Sequence, residues 1–239
     1  MKITTTNLKK SKSNAVVLYL FEGENELSPA FEYYNNLSNG LLKQQIFDFK
    51  VIDANFNSTF KFSINPDLKV VVVGLGKKDK LTRKMFSHAV ANVSRIAKSL
   101  NDVKTIGFEL FEVKDFTKSD CAFITITASR IGLYEFNKYV KNKSDKIKTI
   151  EIIEDNMTSE IENSSKIGAF SSYAMKFTKD LVNEPAGVAT PDYMANVAKE
   201  VANESNLEIE VFNKAEIKKM GMNAFLAVGQ GSANEPKLI

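Results

Sequence analysis

Two prolines, Pro185 and Pro191, define a junction in the last third of the chain. Pro185 lacks the amide that a helix interior needs, and it disfavours the helical conformation at Glu184, so a helix must end there. The helix that ends has an apolar face formed by Phe170, Ala174, Phe177 and Leu181. Thr190 before Pro191 is an N-cap followed by proline at the first helical position, which predicts a new helix. The sequence therefore predicts a domain boundary between two helices.

The segment after the junction predicts a helix, a strand and a second, short helix. Met194, Val197, Ala198 and Val201 follow helical spacing, and Leu207, Ile209 and Val211 alternate with polar residues as in a half-buried strand. Asn213 and Glu216 match a capping box, and Gly221 is placed to end the short helix.

The apolar run Ala224 to Val228 has the pattern of a strand buried on both faces of a parallel sheet. Two strands and two helices are too few to cover both of its faces, so we expect an incomplete α/β domain here. The unpaired edge of such a strand would invite aggregation or require a partner.

Strands and helices also alternate through the first two thirds of the chain, which predicts α/β layers. Strands are predicted at Ala15–Phe21, Ile46–Phe49, Phe60–Ile64, Lys69–Val73, Thr105–Leu110 and Lys148–Ile153. Helices are predicted from Ser28-Pro29 to Gly40, from about Lys80 to Leu100, from Ser119 to Val140, and from a capping box at Ser159–Glu162 to Val182. Residues 123–127 alternate like a strand, but the length of the segment favours a helix.

Three strings near the junction resemble the leucine (cytosol) aminopeptidase family. They are D-L-V-N-E-P-A (180–186), T-P-D-Y (190–193) and A-F-L-A-V-G-Q-G-S-A-N-E-P-K-L-I (224–239). In that family they mark the passage from the N-terminal domain into the catalytic domain. A looser similarity extends to V-V-V-V-G-L-G-K-K (70–78) and G-L-Y-E-F-N-K-Y (132–139).

The resemblance implies a division into three parts. Residues 1–155 would form a macro-domain-like N-terminal domain of mixed sheet and helices, 156–189 a linker helix and junction, and 190–239 the truncated opening of the catalytic domain. The intact enzyme would be a cytoplasmic homo-hexamer that removes N-terminal residues such as leucine from peptides. Two divalent metals, zinc or manganese, would activate a water and polarise the scissile carbonyl.

The family's metal ligands and catalytic residues begin in a V-G-K-G motif and continue in a D-T-G-G motif, both downstream of N-E-P-K-L-I. Neither motif occurs in this sequence. We therefore predict no catalytic, metal-binding or cofactor-binding residue within this chain, expect no bound metal, and expect the chain by itself to be inactive.

Composition limits the location and the chemistry of the protein. No apolar run approaches the ~20 residues that span a bilayer, and the N-terminus M-K-I-T-T-T-N-L-K-K lacks the apolar core of a secretory signal, so we expect a cytoplasmic protein without a membrane partner. A single cysteine, Cys121, excludes an internal disulfide.

Two binding functions remain as alternatives. Residues 1–150 hold 24 Lys and Arg against 15 Asp and Glu, whereas residues 151–239 hold 8 against 14. The basic excess is compatible with weak DNA binding, although a solvated lysine-rich surface explains it more simply. The Gly74–Lys78 turn, between a strand and a helix, could bind the phosphate of a nucleotide or ADP-ribose, although such glycines usually serve only a tight turn.

A few other groups could carry chemistry. His88, the single histidine, lies in the middle of a predicted helix and is expected to be a surface residue rather than a partner of Cys121. Glu208 and Glu210 share one strand face and are expected to be solvated. One acidic cluster near a strand end is a weak candidate for a cation site: Glu151, Glu154 and Asp155.

Overall fold

A computed structural model describes residues 1–24, 27–141 and 146–239. Its described residues contain one six-stranded sheet in the order β1-β6-β5-β2-β4-β3. The strands are β1 (Lys2–Thr6), β2 (Ala15–Leu20), β3 (Thr59–Asn65), β4 (Leu68–Gly74), β5 (Thr105–Glu109) and β6 (Thr149–Ile153). All neighbouring pairs are parallel except β3 with β4, which is antiparallel. The predicted α/β class is confirmed, and β1 is a strand that the sequence patterns did not predict.

Eight α-helices are assigned within the described ranges. They are α1 (Pro29–Leu37), α2 (Leu41–Lys43), α3 (Arg83–Ser99), α4 (Lys118–Gly132), α5 (Ser159–Asn183), α6 (Pro191–Ser205), α7 (Lys214–Lys219) and α8 (Asn223–Val228). The caps predicted at Ser28, Thr190 and Asn213 are all present, with each side chain accepting a backbone amide of the first turn. The cap of α5 is one residue earlier than predicted, because the Thr158 hydroxyl accepts the Ile161 amide.

The sheet is buried on both faces, which explains why its central strands are continuously apolar. Every residue of β2 is buried. Val17 and Tyr19 point to the face covered by α3 and α4, where Phe86 and Cys121 lie in the same core. Val16 and Leu18 point to the opposite face, where Phe31 of α1, Leu42 and Ile46 form a second core.

The chain divides into two compact units, residues 1–177 and 178–239, and the division falls within α5. The first unit contains the whole sheet and α1 to α4. The second contains α6, α7, α8 and one isolated bridge between Phe212 and Leu238. In residues 178–239, all of which are described, three apolar side chains are buried: Ala195, Ala202 and Ile217.

The prediction of a strand at Ala224–Val228 is wrong. These residues belong to α8, none of which is buried, and Val228 is 90% exposed. Residues 207–211 likewise do not form a strand, and the adjacent Phe212 makes an isolated bridge to Leu238. The physical reason is shared. A strand needs a neighbour for its backbone hydrogen bonds, whereas a helix satisfies them within its own segment. The open edge expected from the predicted strand therefore does not exist.

Two predictions in the first unit also need correction. Ile46–Phe49 alternates like a strand, but Gln44–Asp48 form a π-helix that continues α2 and buries Ile46. The helix predicted to reach Val140 ends at Gly132, where an added Cβ would lie 2.5 Å from the Ala91 carbonyl oxygen. Within the described ranges, no helix combines the length and the apolar character that a membrane crossing requires.

Candidate functional site

The strand order reverses between β2 and β5. From β2 the chain first builds β3 and β4 on one side, and then returns to place β5 and β6 on the other. The β2–β4 ladder continues to the Leu20–Gly74 pair, but the β2–β5 ladder ends at Val17 and Phe108. The carboxyl ends of β2 and β5 therefore separate. In open α/β sheets such a reversal forms a crevice in which ligands commonly bind.

Glu109, the last residue of β5, occupies this crevice. Its Oε1 accepts the backbone amide of Tyr19 at 3.2 Å, and the Ser28 side chain hydrogen-bonds the same carboxylate. The side chain is buried. Burial raises the pKa of Glu109 to about 7, and the charge of Glu154 adds to the shift, while the hydrogen bonds from Ser28 and Tyr19 oppose it. The site therefore holds a buried carboxyl group that titrates near neutral pH.

A pocket of about 380 Å³ opens above Glu109. We call it the switch-point pocket. Its walls include the apolar side chains of Phe21, Leu27 and Phe111. At its rim Lys78 Nζ lies 2.9 Å from Glu24 Oε1 and 5.3 Å from the centre of the Phe21 ring.

The Gly74–Lys78 turn, the predicted phosphate site, does not present the free amides that such a site needs. The amides of Gly74, Leu75 and Gly76 donate to the carbonyls of Ser58, Leu20 and Ala54 respectively. A Cβ on Gly74 would collide with Asn55 O and Ser58 Oγ and would lie 2.7 Å from the Ala54 carbonyl carbon. Glycine is thus required at position 74 by the close approach of the preceding loop.

The carboxylates of the predicted cation cluster face separate protein partners. Glu151 Oε2 accepts the hydroxyls of Ser11 and Ser13 at 2.6 and 2.7 Å. Glu154 pairs with Lys118 at 2.8 Å, and Asp155 accepts the Leu8 amide at 2.8 Å. These residues hold loops to the end of β6. Across residues 1–24, 27–141 and 146–239, no group of three or more His, Cys, Asp or Glu side chains could hold a metal ion.

The remaining candidates lie apart from one another. His88 is exposed on α3, as expected, whereas Cys121 is fully buried on α4. Burial raises the pKa of the Cys121 thiol to about 12. Glu208 and Glu210 are exposed, as predicted, but lie in a segment without regular secondary structure rather than on a strand. None of these four side chains lines the switch-point pocket.

Two family models match the chain. The N-terminal domain of the cytosol aminopeptidase family matches residues 16–144, and the catalytic domain of the same family matches residues 176–239. The chain belongs to the cytosol aminopeptidase family. A probable cytosol aminopeptidase from Persephonella marina is 31% identical over all of this chain, and one from a Sulfurihydrogenibium species is 33% identical. The chain spans about half the length of these relatives, 49% and 48% respectively.

Solved structures show the same fold. A mutant of tomato leucine aminopeptidase superposes with a TM-score of 0.81 at 17% identity, covering 99% of this chain and 49% of that one. The bottromycin maturation enzyme BotP superposes with a TM-score of 0.72 at 22% identity, covering 94% of this chain and 45% of its own. At these identities the similarity concerns the fold alone.

A two-metal centre of the kind implied by the family does not fit the side chains in the described part of this chain. The acidic groups at the end of β6 are held by hydroxyls, amides and one lysine, as described above. The buried carboxylate with a strongly raised pKa is instead Glu109, which the sequence patterns did not predict as a site residue. The available signal was a single acid within an otherwise uncharged predicted strand, Thr105–Leu110.

Proposed function

We propose that this chain supplies the N-terminal portion of a metal-dependent leucyl aminopeptidase, which releases N-terminal amino acids from peptides. The observation that carries the proposal is the order of the two family matches, with the N-terminal domain at 16–144 followed by catalytic-domain sequence at 176–239. The curated relatives similar to the whole chain are probable cytosol aminopeptidases.

The finer properties belong to the same proposal. The complete enzyme would act in the cytoplasm as a homo-hexamer with two zinc or manganese ions. Those metals would supply Lewis-acid chemistry at the scissile carbonyl. The residues of this chain would provide the N-terminal domain, the linker helix and the first helices of the catalytic domain, divided at 1–155, 156–189 and 190–239. No reaction step is assigned to any of them.

The test begins by reading the gene beyond the Ile239 codon and producing its complete product. We expect the open frame to encode V-G-K-G and D-T-G-G, and the product to release p-nitroaniline from leucine p-nitroanilide when manganese or zinc is present. A chelator should abolish the activity, and the 239-residue chain alone should show none. A continued frame without these motifs, or a full-length product without metal-dependent activity, would overturn the proposal.

Of the two binding alternatives, DNA binding is kept as a prediction and nucleotide binding is not proposed. The Gly74–Lys78 turn is not proposed as a nucleotide site, because its first three amides are already hydrogen-bonded to carbonyls. Weak DNA binding through the basic residues of 1–150 stays a prediction, and a retarded DNA band that disappears between low and moderate salt would support it.

A further inference from the structure

The switch-point pocket is lined by the ends of β2 and β5 and by described residues of the segment that follows β2. It lies where the β2–β5 ladder ends, and the hydrogen bond from the Tyr19 amide to Glu109 holds the Glu109 side chain between the two strands. Its volume of about 380 Å³ falls within the ~300–1,000 Å³ that small-molecule sites occupy. The site is independent of the aminopeptidase chemistry proposed above, because no metal or catalytic motif takes part in it.

The polar group inside this pocket is an acceptor. An ionised carboxylate offers about four lone-pair positions, and Glu109 receives the Tyr19 amide and the Ser28 hydroxyl. Among the described residues, no lysine or arginine forms an ion pair with Glu109. Lys78, a basic residue that lines the pocket, is paired with Glu24. A ligand that brings its own positive charge and several N–H donors would therefore complement Glu109.

The same charges disfavour an anion. A phosphate in the pocket would face Glu109 and Glu24, and the amides of the adjacent turn at 74–76 are engaged. Part of the pocket wall is apolar: Phe21 and Phe111 form an edge-to-face pair with ring centres 5.4 Å apart, and Leu27 also lines the pocket. A compact hydrocarbon or aromatic group would be covered there.

We propose that the switch-point pocket binds a small primary amine with an apolar body, with the ammonium group on the Glu109 carboxylate and the body against Phe21, Leu27 and Phe111. Binding is non-covalent and needs no co-reactant. The pair of Lys78 and Glu24 borders the entrance and leaves the charge of Glu109 uncompensated until the amine enters.

The test is isothermal titration calorimetry on the 239-residue chain at pH 8. The probe is 2-phenylethylamine, and its matched counterpart is 3-phenylpropionate, which has the same aromatic body with the opposite charge. We expect saturable binding of the amine and none of the carboxylate. Glu109→Gln should weaken amine binding about tenfold or more, because a charge-assisted hydrogen bond is lost. Glu112→Gln, a nearby exposed carboxylate outside the pocket, should bind as the unmodified chain does.

A second variant keeps the test decisive. Leu27→Trp should fill the pocket and abolish binding while leaving Glu109 in place, and circular dichroism of each variant checks folding. If Glu109→Gln does not fold, Leu27→Trp decides. The proposal is overturned if the unmodified chain binds no amine at millimolar concentration. It is equally overturned if it binds the carboxylate as well as the amine, or if a folded Glu109→Gln or Leu27→Trp variant binds the amine unchanged.

Discussion

The backbone amide of Tyr19 donates a 3.2 Å hydrogen bond to the side chain of Glu109, a residue 90 positions later in the chain. The main-chain ladder between β2 and β5 ends at Val17, so a carboxylate replaces a carbonyl as the acceptor two residues further on. This contact links the two strands beyond the end of their ladder, at the point where the sheet reverses its order. It also places an ionisable group in a buried position, which costs stability whenever that group is charged.

Glu109 predicts a pH-dependent stability. Its pKa is about 7 in the folded chain, compared with 4.5 for an ordinary glutamate, so the folded state binds the proton more tightly than the unfolded state. The contribution of Glu109 is therefore most favourable below pH 4.5, falls as the pH rises towards about 7, and is constant above that. The full loss should be about 3 kcal/mol, and most of it falls between pH 5 and pH 8. Urea unfolding at pH 5 and pH 8 measures it.

Glu109→Gln removes this titration while keeping an oxygen for the Tyr19 amide. At pH 8 the variant should therefore be more stable than the unmodified chain by about 1–3 kcal/mol, and the difference should shrink towards pH 5. Glu112→Gln serves as the exposed control and should change neither value by more than about 0.5 kcal/mol. A variant that is less stable than the parent at pH 8 would contradict the assignment of Glu109 as a buried, unfavourably ionised group.

Gly74→Ala should destabilise the first unit. The added Cβ collides with Asn55 O and Ser58 Oγ, and these atoms belong to the loop whose carbonyls accept the amides of residues 74 and 76. Overpacking of this kind costs about 1–3 kcal/mol. Gly187→Ala is the matched control, because its Cβ would meet nothing within 4 Å. Equal unfolding free energies for the two variants, from urea titration, would show that the 54–58 loop can move aside at no cost.

The elements that could be predicted from sequence are those whose secondary structure is determined by their own residues. β2 and β4 are short apolar runs bounded by polar residues, and both form buried strands. Ser28-Pro29 and Thr190-Pro191 carry their cap and proline within the motif, and both helices begin there. No distant partner was needed to place any of these elements.

The failures concern segments whose structure depends on distant residues. Ala224–Val228 reads equally well as a buried strand or a short helix, and periodicity alone cannot separate the two. Glu109 was missed for a related reason: its importance depends on Tyr19 and Ser28, which only the folded sheet brings to it. The Gly74–Lys78 turn was a reasonable phosphate candidate until the partners of its amides were known.

Cys121 should be unreactive in the folded protein. It is fully buried against the sheet, and burial raises the pKa of its thiol to about 12, so almost no thiolate forms near neutral pH. Because it is the single cysteine, titration with a chromogenic disulfide reagent reports on it alone. We expect no rapid reaction at pH 8 and one equivalent in 6 M urea. Stoichiometric reaction of the folded chain within minutes would place Cys121 at an accessible surface instead.

The second unit should open before the first. Residues 178–239 bury Ala195, Ala202 and Ile217 as their apolar side chains, whereas the first unit has apolar cores on both faces of its sheet. Segments whose local opening costs little free energy are open more of the time, so proteases cut them first. Limited proteolysis followed by mass spectrometry should therefore find the first cuts within 178–239, and first cuts within 27–141 would refute this order of stability.

Ile217→Ala should increase the rate of cutting within 178–239, because a fully buried isoleucine contributes about 2–4 kcal/mol. Val228→Ala is the control: this side chain is 90% exposed, so its loss should leave the rate unchanged. Equal rates in the two variants would mean that Ile217 does not hold the second unit together.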